Sequence, residues 1–350
     1  MKKIVLSSIV ALGLISSLSA DVVVKSKAGV LKFSGEHRFT FTDSDKKDAN
    51  GFDKDGSGRF SVDRTYLQVK AYFLENPKSY ARVTIDTKED ATGTYDTYLK
   101  YSYLYLADIF PNTGVEIGQV HKPWVDYEEH YGFTKQAVYG VYADKLHLTS
   151  SADRGVNFKT KLANFSSEIG VFQGEGYKNV PSYSGKGLSV DARLTYHVFG
   201  TKNKKNYFNI SVAGASNSKH NEINATTDTY GDLTWSLVHA VYKNSQFLVA
   251  GQYLNVSKNK TSNTKDEKGT GYSVNGDLYI TPKATLFARY DEFKYDTIKV
   301  NNAKKEKKKT IGGIAYKYNK NVTFALSSIK LEESGKTDEN KVQALAWIKW

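Results

Sequence analysis

The sequence predicts an all-β fold, a transmembrane antiparallel β-barrel of about 16 strands with short periplasmic turns, long outer loops and a third loop folded into the lumen. Three observations predict it. Segments in which apolar and polar residues alternate with period two recur between Leu31 and Trp350, the spacing that sends successive side chains of a strand to opposite faces. The connections between these segments are alternately long and short. No apolar run beyond residue 20 approaches the roughly 20 residues of a spanning helix, yet the chain opens with an export leader.

Residues 1–20 form that leader: Lys2 and Lys3, an apolar stretch from Ile4 to Leu18, then Ser19 and Ala20 before Asp21. Cleavage leaves 21–350 as one barrel domain and removes two lysines from a formal charge of +12. The chain has no cysteine, which excludes disulfide staples and thiolate metal centres. Its 25 Tyr, 17 Phe and 4 Trp coexist with a mean hydropathy of −0.50. That combination suits strands with one apolar and one polar face, with tyrosines at the water boundaries.

The first strand, Leu31 to Thr42, sets Leu31, Phe33, Phe39 and Phe41 against Lys32, Ser34, Glu36, Arg38 and Thr40. The stretch DKDGSGRFSVDR, Asp53 to Arg64, then offers Asp53, Asp55, Ser57 and Gly58 at the spacing of a calcium-binding loop, but Arg64 stands where the bidentate carboxylate belongs. The next residues, YLQVKAYF, alternate with period two, so a polar loop between strands is expected, with no metal and no cofactor. Ser79 to Asp86 sets Ala81, Val83 and Ile85 against Arg82, Thr84 and Asp86. Similar strands lie near 96–107, 114–121, 155–163 and 165–173.

Residues 122–154 form a long connection containing Trp124, Tyr127, Tyr131, Phe133, Tyr139 and Tyr142, too aromatic for a solvated loop. Folded into the barrel, it is a constriction loop in which Lys122, Asp126, Glu128, Glu129, Lys135 and Lys145 set the narrowest charge pattern. Leu188 to Val198 opposes Leu188, Val190, Ala192, Leu194, Tyr196 and Val198 to Ser189, Asp191, Arg193, Thr195 and His197. Strands follow near 206–216, 270–280 and 283–294. They are also expected near 232–242, 245–256, 309–318 and 321–331, where the facing of the side chains stays open. The long connections are 43–58, 122–154, 174–186, 217–231, 257–269 and 295–308, and the basic run Lys304 to Lys309 falls in the last of these. All five prolines, at 77, 111, 123, 181 and 282, lie in connections, where the missing amide costs no ladder bond. Chain end and apolar face coincide in Val342, Ala344, Ala346, Ile348 and Trp350.

Strand edges cannot stay open in hydrocarbon, so the sheet must close. Sixteen or so strands enclose a water-filled lumen, whereas eight fill their own interior. The pore-lining residues this predicts are Lys32, Arg38, Lys70, Arg82, Lys100, Lys159, Lys161, Arg193 and Arg289, with Lys349, against Glu36, Asp86, Glu116, Glu168, Asp191, Asp277 and Asp291. Ionised groups in that number require solvation, and their basic excess favours anions.

The string VEIGQVHKPW (115–124), followed by SADRGVNFKTKL (151–162), resembles the phosphate-selective porin O and P family. There a Gly-Gln strand end, a basic residue and a proline precede the third loop, and Asp-x-Gly-Val opens the next strand. LFARYDEF (286–293) and IAYKYNKNVTFAL (314–326) are similar to that family's late strands. The resemblance implies a trimeric outer-membrane porin of a Gram-negative bacterium, passing small hydrophilic solutes and ions by passive diffusion, oxyanions such as phosphate among them. The family's phosphate selectivity rests on a ladder of lumen arginines and a lysine cluster, and no such ladder aligns here.

Outer-membrane lipid and lipopolysaccharide are expected partners, and Trp350 resembles the terminal aromatic that barrels present to their assembly machinery. An enzyme is not expected, since the seven histidines lack the signature of a Ser-His-acid constellation; His197, beside Thr195, reads as a solvated lumen residue. The export leader argues against nucleic acid. The alternative function is a structural or adhesive barrel whose loops bind an external surface.

Overall fold

The computed structural model describes residues 22–26, 29–45, 58–89, 93–133, 140–177, 187–224, 227, 229–262, 265–300 and 303–350. Residues 1–20, read as a leader, Lys135, and the calcium-like Asp53, Asp55 and Ser57 lie outside them. The strands are β1 (Val22–Ser26), β2 (Gly29–Ser44), β3 (Arg59–Tyr72), β4 (Tyr80–Glu89), β5 (Tyr95–Phe110), β6 (Thr113–His121), β7 (Ala152–Lys161), β8 (Phe165–Phe172) and β9 (Ser189–His197). They continue with β10 (Tyr207–Asn224), β11 (Thr229–Lys243), β12 (Phe247–Ser262), β13 (Lys265–Asp266), β14 (Gly269–Tyr279), β15 (Ala284–Val300), β16 (Ala303–Lys317), β17 (Val322–Glu333) and β18 (Glu339–Lys349). Two of the eighteen, β1 and β13, are short hairpin pieces. The remaining sixteen pair antiparallel with their sequence neighbours, and β18 returns to β2, with Lys341 opposite Ser44 and Lys349 opposite Glu36. The barrel is closed.

Alternation places the two faces. Along β9, Ser189, Asp191, Arg193, Thr195 and His197 are buried while Val190, Leu194 and Tyr196 are exposed, as a wall between water and lipid requires. The strands whose facing the sequence left open differ in kind. On β11, Leu233, Trp235, Leu237 and Val241 point inward and Val238 points out, 53% exposed. The inward face is the more apolar one there, with Thr234 and Ser236 facing out, so hydrophobicity alone misleads about the phase.

The connections 217–231, 257–269 and 295–308 are mostly strand rather than loop, which corrects the expectation from their polarity. Cross-strand ion pairs stabilise these polar extensions: Lys304–Asp296 at 3.1 Å and Lys294–Glu306 at 3.1 Å. The run Lys304 to Lys309 therefore lies in β16 and not in an outer loop. Lys305 and Lys307 turn inward over the Tyr295 ring.

Candidate functional site

The third loop enters the barrel after β6 as a short helix α1 (Pro123–Tyr127), a π-turn (Glu128–Gly132) and, beyond the undescribed 134–139, α2 (Tyr142–Lys145). Pro123 starts α1, where its absent amide is not missed. The loop's Trp124, Val125, Tyr127, Phe133, Val141, Tyr142, Ala143 and Leu148 form one buried cluster with wall residues that include Leu233, Trp235, Leu237, Leu254, Phe287, Phe293 and Ile311. The inward apolar face of β10 to β18 is thus the seat of the loop.

Polar bonds fix its position on that seat. Tyr207 Oη donates to the Tyr131 carbonyl at 2.9 Å, Asn275 Nδ2 to that of Gly132 at 3.0 Å, and Arg289 Nη1 to that of Gly140 at 2.6 Å. Gln252 Nε2 donates to Glu128 Oε1 at 2.7 Å. Tyr142 Oη reaches the Glu292 carbonyl, and a methyl group at Gly271 would occupy the space of that hydroxyl. At the loop's start, Lys122 Nζ lies 2.8 Å from Asp191 and 3.7 Å from Asp153. Lys159 Nζ on β7 lies 3.0 Å from Asp126 and also reaches Glu116 and Glu168.

Burial raises the carboxyl of Asp126, but Lys159, His121 and His130 outweigh it and hold it well below the usual carboxylate range. Glu128 has weaker compensation: burial pushes it up to about 7, against Arg289 and the Gln252 bond. Burial likewise raises Asp144.

Across the remaining lumen stands a wall of cations and tyrosines. Arg38 pairs with Glu36 at 2.7 Å, and Arg64 lies 3.6 Å from Glu36 and 3.8 Å from Asp86. Arg82 Nη1 lies 3.0 Å from the His121 ring and over the Tyr101 ring. Lys32, Lys70 and Lys100 sit over Tyr72, Tyr80 and Tyr66. Glu129 and Asp144 of the loop act on the charge of Lys100, and Glu129 on that of Arg64. Cations of the wall and carboxylates of the loop thus face one another across the lumen.

Every proposed pore-lining residue lies on an inward position, and Arg193 and Arg289 are held there by Glu168 at 3.0 Å and Asp291 at 2.7 Å. Within the loop the picture is divided. Asp126, Glu129 and Lys145 keep some exposure, whereas Lys122 and Glu128 are buried in the anchorage, because each finds a wall partner there. Arg64 and Lys305, Lys307 and Lys309 are lumen residues the sequence reading missed. For Arg64 a signal existed: it is in phase with Lys70.

Beneath the loop, on the short-turn side, a cavity of about 670 Å³ is lined by Glu116, Asp126, Lys159, Lys161, Arg193 and His197 among others. Above it a second, of about 610 Å³, is lined by Lys122, Asp144, Lys145 and His220 among others. At the short-turn rim a third, of about 530 Å³, carries Lys204, Lys205, Lys243, Lys283 and Lys317 and no carboxylate in its lining.

Known proteins share this architecture. The chain is similar to OmpF of Salmonella typhi, in complex with daunomycin, at a TM-score of 0.68 and 13% identity, covering 94% of this chain and 100% of that one. An anion-selective porin from Comamonas acidovorans gives 0.67 at 11% identity, with 91% and 99% covered. The trimer form of OmpT from Vibrio cholerae gives 0.64 at 14%, with 93% and 100% covered. The chain has the fold of outer-membrane porins. No family model and no curated protein matches it, so the likeness lies in the fold and not in the sequence.

Proposed function

We propose that this chain is an outer-membrane channel of a Gram-negative bacterium, passing small hydrophilic solutes and ions by passive diffusion with a weak preference for anions, oxyanions included. The observation that carries this reading is a closed barrel whose inserted loop narrows the lumen while leaving ionised cavities above and below it. The anion preference draws on the cations of β2 to β5 and on the rim lysines, whose cavity has no lining carboxylate. Lumen charge sets which ions concentrate in a pore. Conduction uses no catalytic residue.

The reading includes export with removal of residues 1–20, assembly as a homotrimer, and contact with lipopolysaccharide. Trp350, bonded through its backbone to Gly35 at 2.8 Å and 3.1 Å, would be presented to the assembly machinery before the seam closes.

The test is current through the folded chain, residues 21–350, in a planar bilayer under a tenfold salt gradient. Stepwise conductance with a reversal potential of anion sign is expected. Cation sign would overturn the anion preference alone. A folded barrel that does not conduct would overturn the channel and favour a structural or adhesive role.

A further inference from the structure

Three wall residues beneath the loop, from three different strands, form a hydrogen-bonded chain that conduction does not require. Ser166 Oγ lies 2.8 Å from His197 Nε2, and His197 Nδ1 lies 3.0 Å from Asn209 Oδ1. Strand register assembles them. Ser166 stands opposite Thr195, one inward position along β9 from His197, and Asn209 stands directly opposite His197. Direct and diagonal cross-strand neighbours are the side chains that meet on one face.

His197 and Asn209 are buried, and the Asn209 amide turns its oxygen to the ring and its nitrogen toward the Tyr127 hydroxyl. With Nδ1–H donating to that oxygen, Nε2 is the unprotonated nitrogen and accepts from the Ser166 hydroxyl. Arg193 Nη1 lies 3.1 Å from Ser166 Oγ, and the same guanidinium is fixed by Glu168 at 3.0 Å and Thr195 Oγ1 at 2.6 Å. The 670 Å³ cavity opens onto both Ser166 and His197, with Lys161, Lys204 and Lys243 in its wall.

We propose that Ser166, His197 and Asn209 form an acyl-transfer site in the lumen for small anionic carboxylic esters. The lysines attract the anionic end of the ester. Ser166 Oγ attacks the carbonyl carbon as its proton passes to His197 Nε2, and Arg193 faces the oxyanion that forms. The bond from carbonyl carbon to the alcohol oxygen then breaks, and His197 returns the proton to the departing alkoxide. Water repeats the sequence on the acyl-serine, releasing the carboxylic acid and restoring the hydroxyl. Ser166 and His197 are the catalytic residues. Asn209 is a positioning residue that selects the imidazole tautomer.

The experiment treats the folded, conducting barrel with a fluorophosphonate and locates the label by peptide mass spectrometry, then measures 4-nitrophenolate release from the half-ester 4-nitrophenyl succinate. A label on Ser166 is expected, with protection by the half-ester. His197→Gln lowers labelling by about 100-fold; Asn209→Ala lowers it too, and Asn209→Asp restores it. Ser167→Ala, at the neighbouring outward position, leaves it intact. If a variant fails to fold, protection in the unmodified chain decides. Absence of label on Ser166, or labelling that ignores His197, overturns the site; the second result is that of an Asn209 amide donating to the ring and leaving Nε2 protonated. Conduction without labelling would refute the site and leave the channel standing.

Discussion

The two halves of the lumen wall differ in their share of apolar side chains. From β2 to β9 the inward positions hold Arg38, Arg64, Arg82, Lys100, Lys159 and Arg193; from β10 to β18 many hold apolar groups such as Ala213, Leu233, Trp235, Leu237, Leu254 and Ile311. An aromatic loop released into this lumen has one wall on which to bury its apolar surface, at about 1.5–3 kcal/mol per large side chain. The other wall stays facing water. Burial thus chooses the side, the loop–wall hydrogen bonds and ion pairs set the position, and the open part of the lumen is left against the more charged half. The narrowing belongs to the wall as much as to the loop.

The comparison breaks most severely by giving the apolar half a charge. Trp235→Glu removes a buried indole, a loss of about 3–5 kcal/mol by itself, and adds an unpaired carboxylate beneath the loop. We expect the loop to leave its seat, read as a rise in single-channel conductance and as proteolytic cleavage within 122–154.

Next in size is the ion-pair latch. Asp126→Ala leaves Lys159 with Glu116 and Glu168, so its cost, on the order of 1–3 kcal/mol, falls short of that of a fully orphaned charge. Larger current fluctuations are the expected outcome. The sign of the pH effect follows from the depressed carboxyl of Asp126. The latch's contribution is present above the unfolded value near 3.9 and is lost as pH falls through the still lower folded value. Wild-type noise should stay flat to that point.

Glu128 behaves oppositely. Its folded value of about 7 exceeds its ordinary one, so its contribution is complete below about 4.3 and is lost as pH rises through about 7. Glu128→Gln keeps a partner for Gln252 and should raise the thermal midpoint at pH 8, by an equivalent of about 1 kcal/mol or more, with little change at pH 4. Equal shifts at both pH values would place the carboxyl in water.

The smallest structural effect comes from the charged half. Arg64→Gln with Arg82→Gln should leave the fold in place and lower the anion-to-cation permeability ratio, measured from reversal potentials. Lys243→Gln, Lys283→Gln and Lys317→Gln together should lower it less, because those lysines stand at a wide, solvated rim where screening acts over roughly 10 Å at 0.1 M salt.

By itself the sequence determined the closed barrel, most strand positions and the inward set from Lys32 to Arg193, because strand side chains alternate strictly and a water-to-lipid wall displays that period directly. It also marked 122–154 as a packed loop, through aromatics that water would not leave free. Only the tertiary structure decided which wall received the loop, that Lys122 and Glu128 are anchors, that Lys304 to Lys309 is strand, and that Ser166, His197 and Asn209 meet. The physical reason is common to all four: each depends on a partner across the sheet or across the lumen. A one-dimensional period tells which way a side chain points; register and closure tell what it finds there.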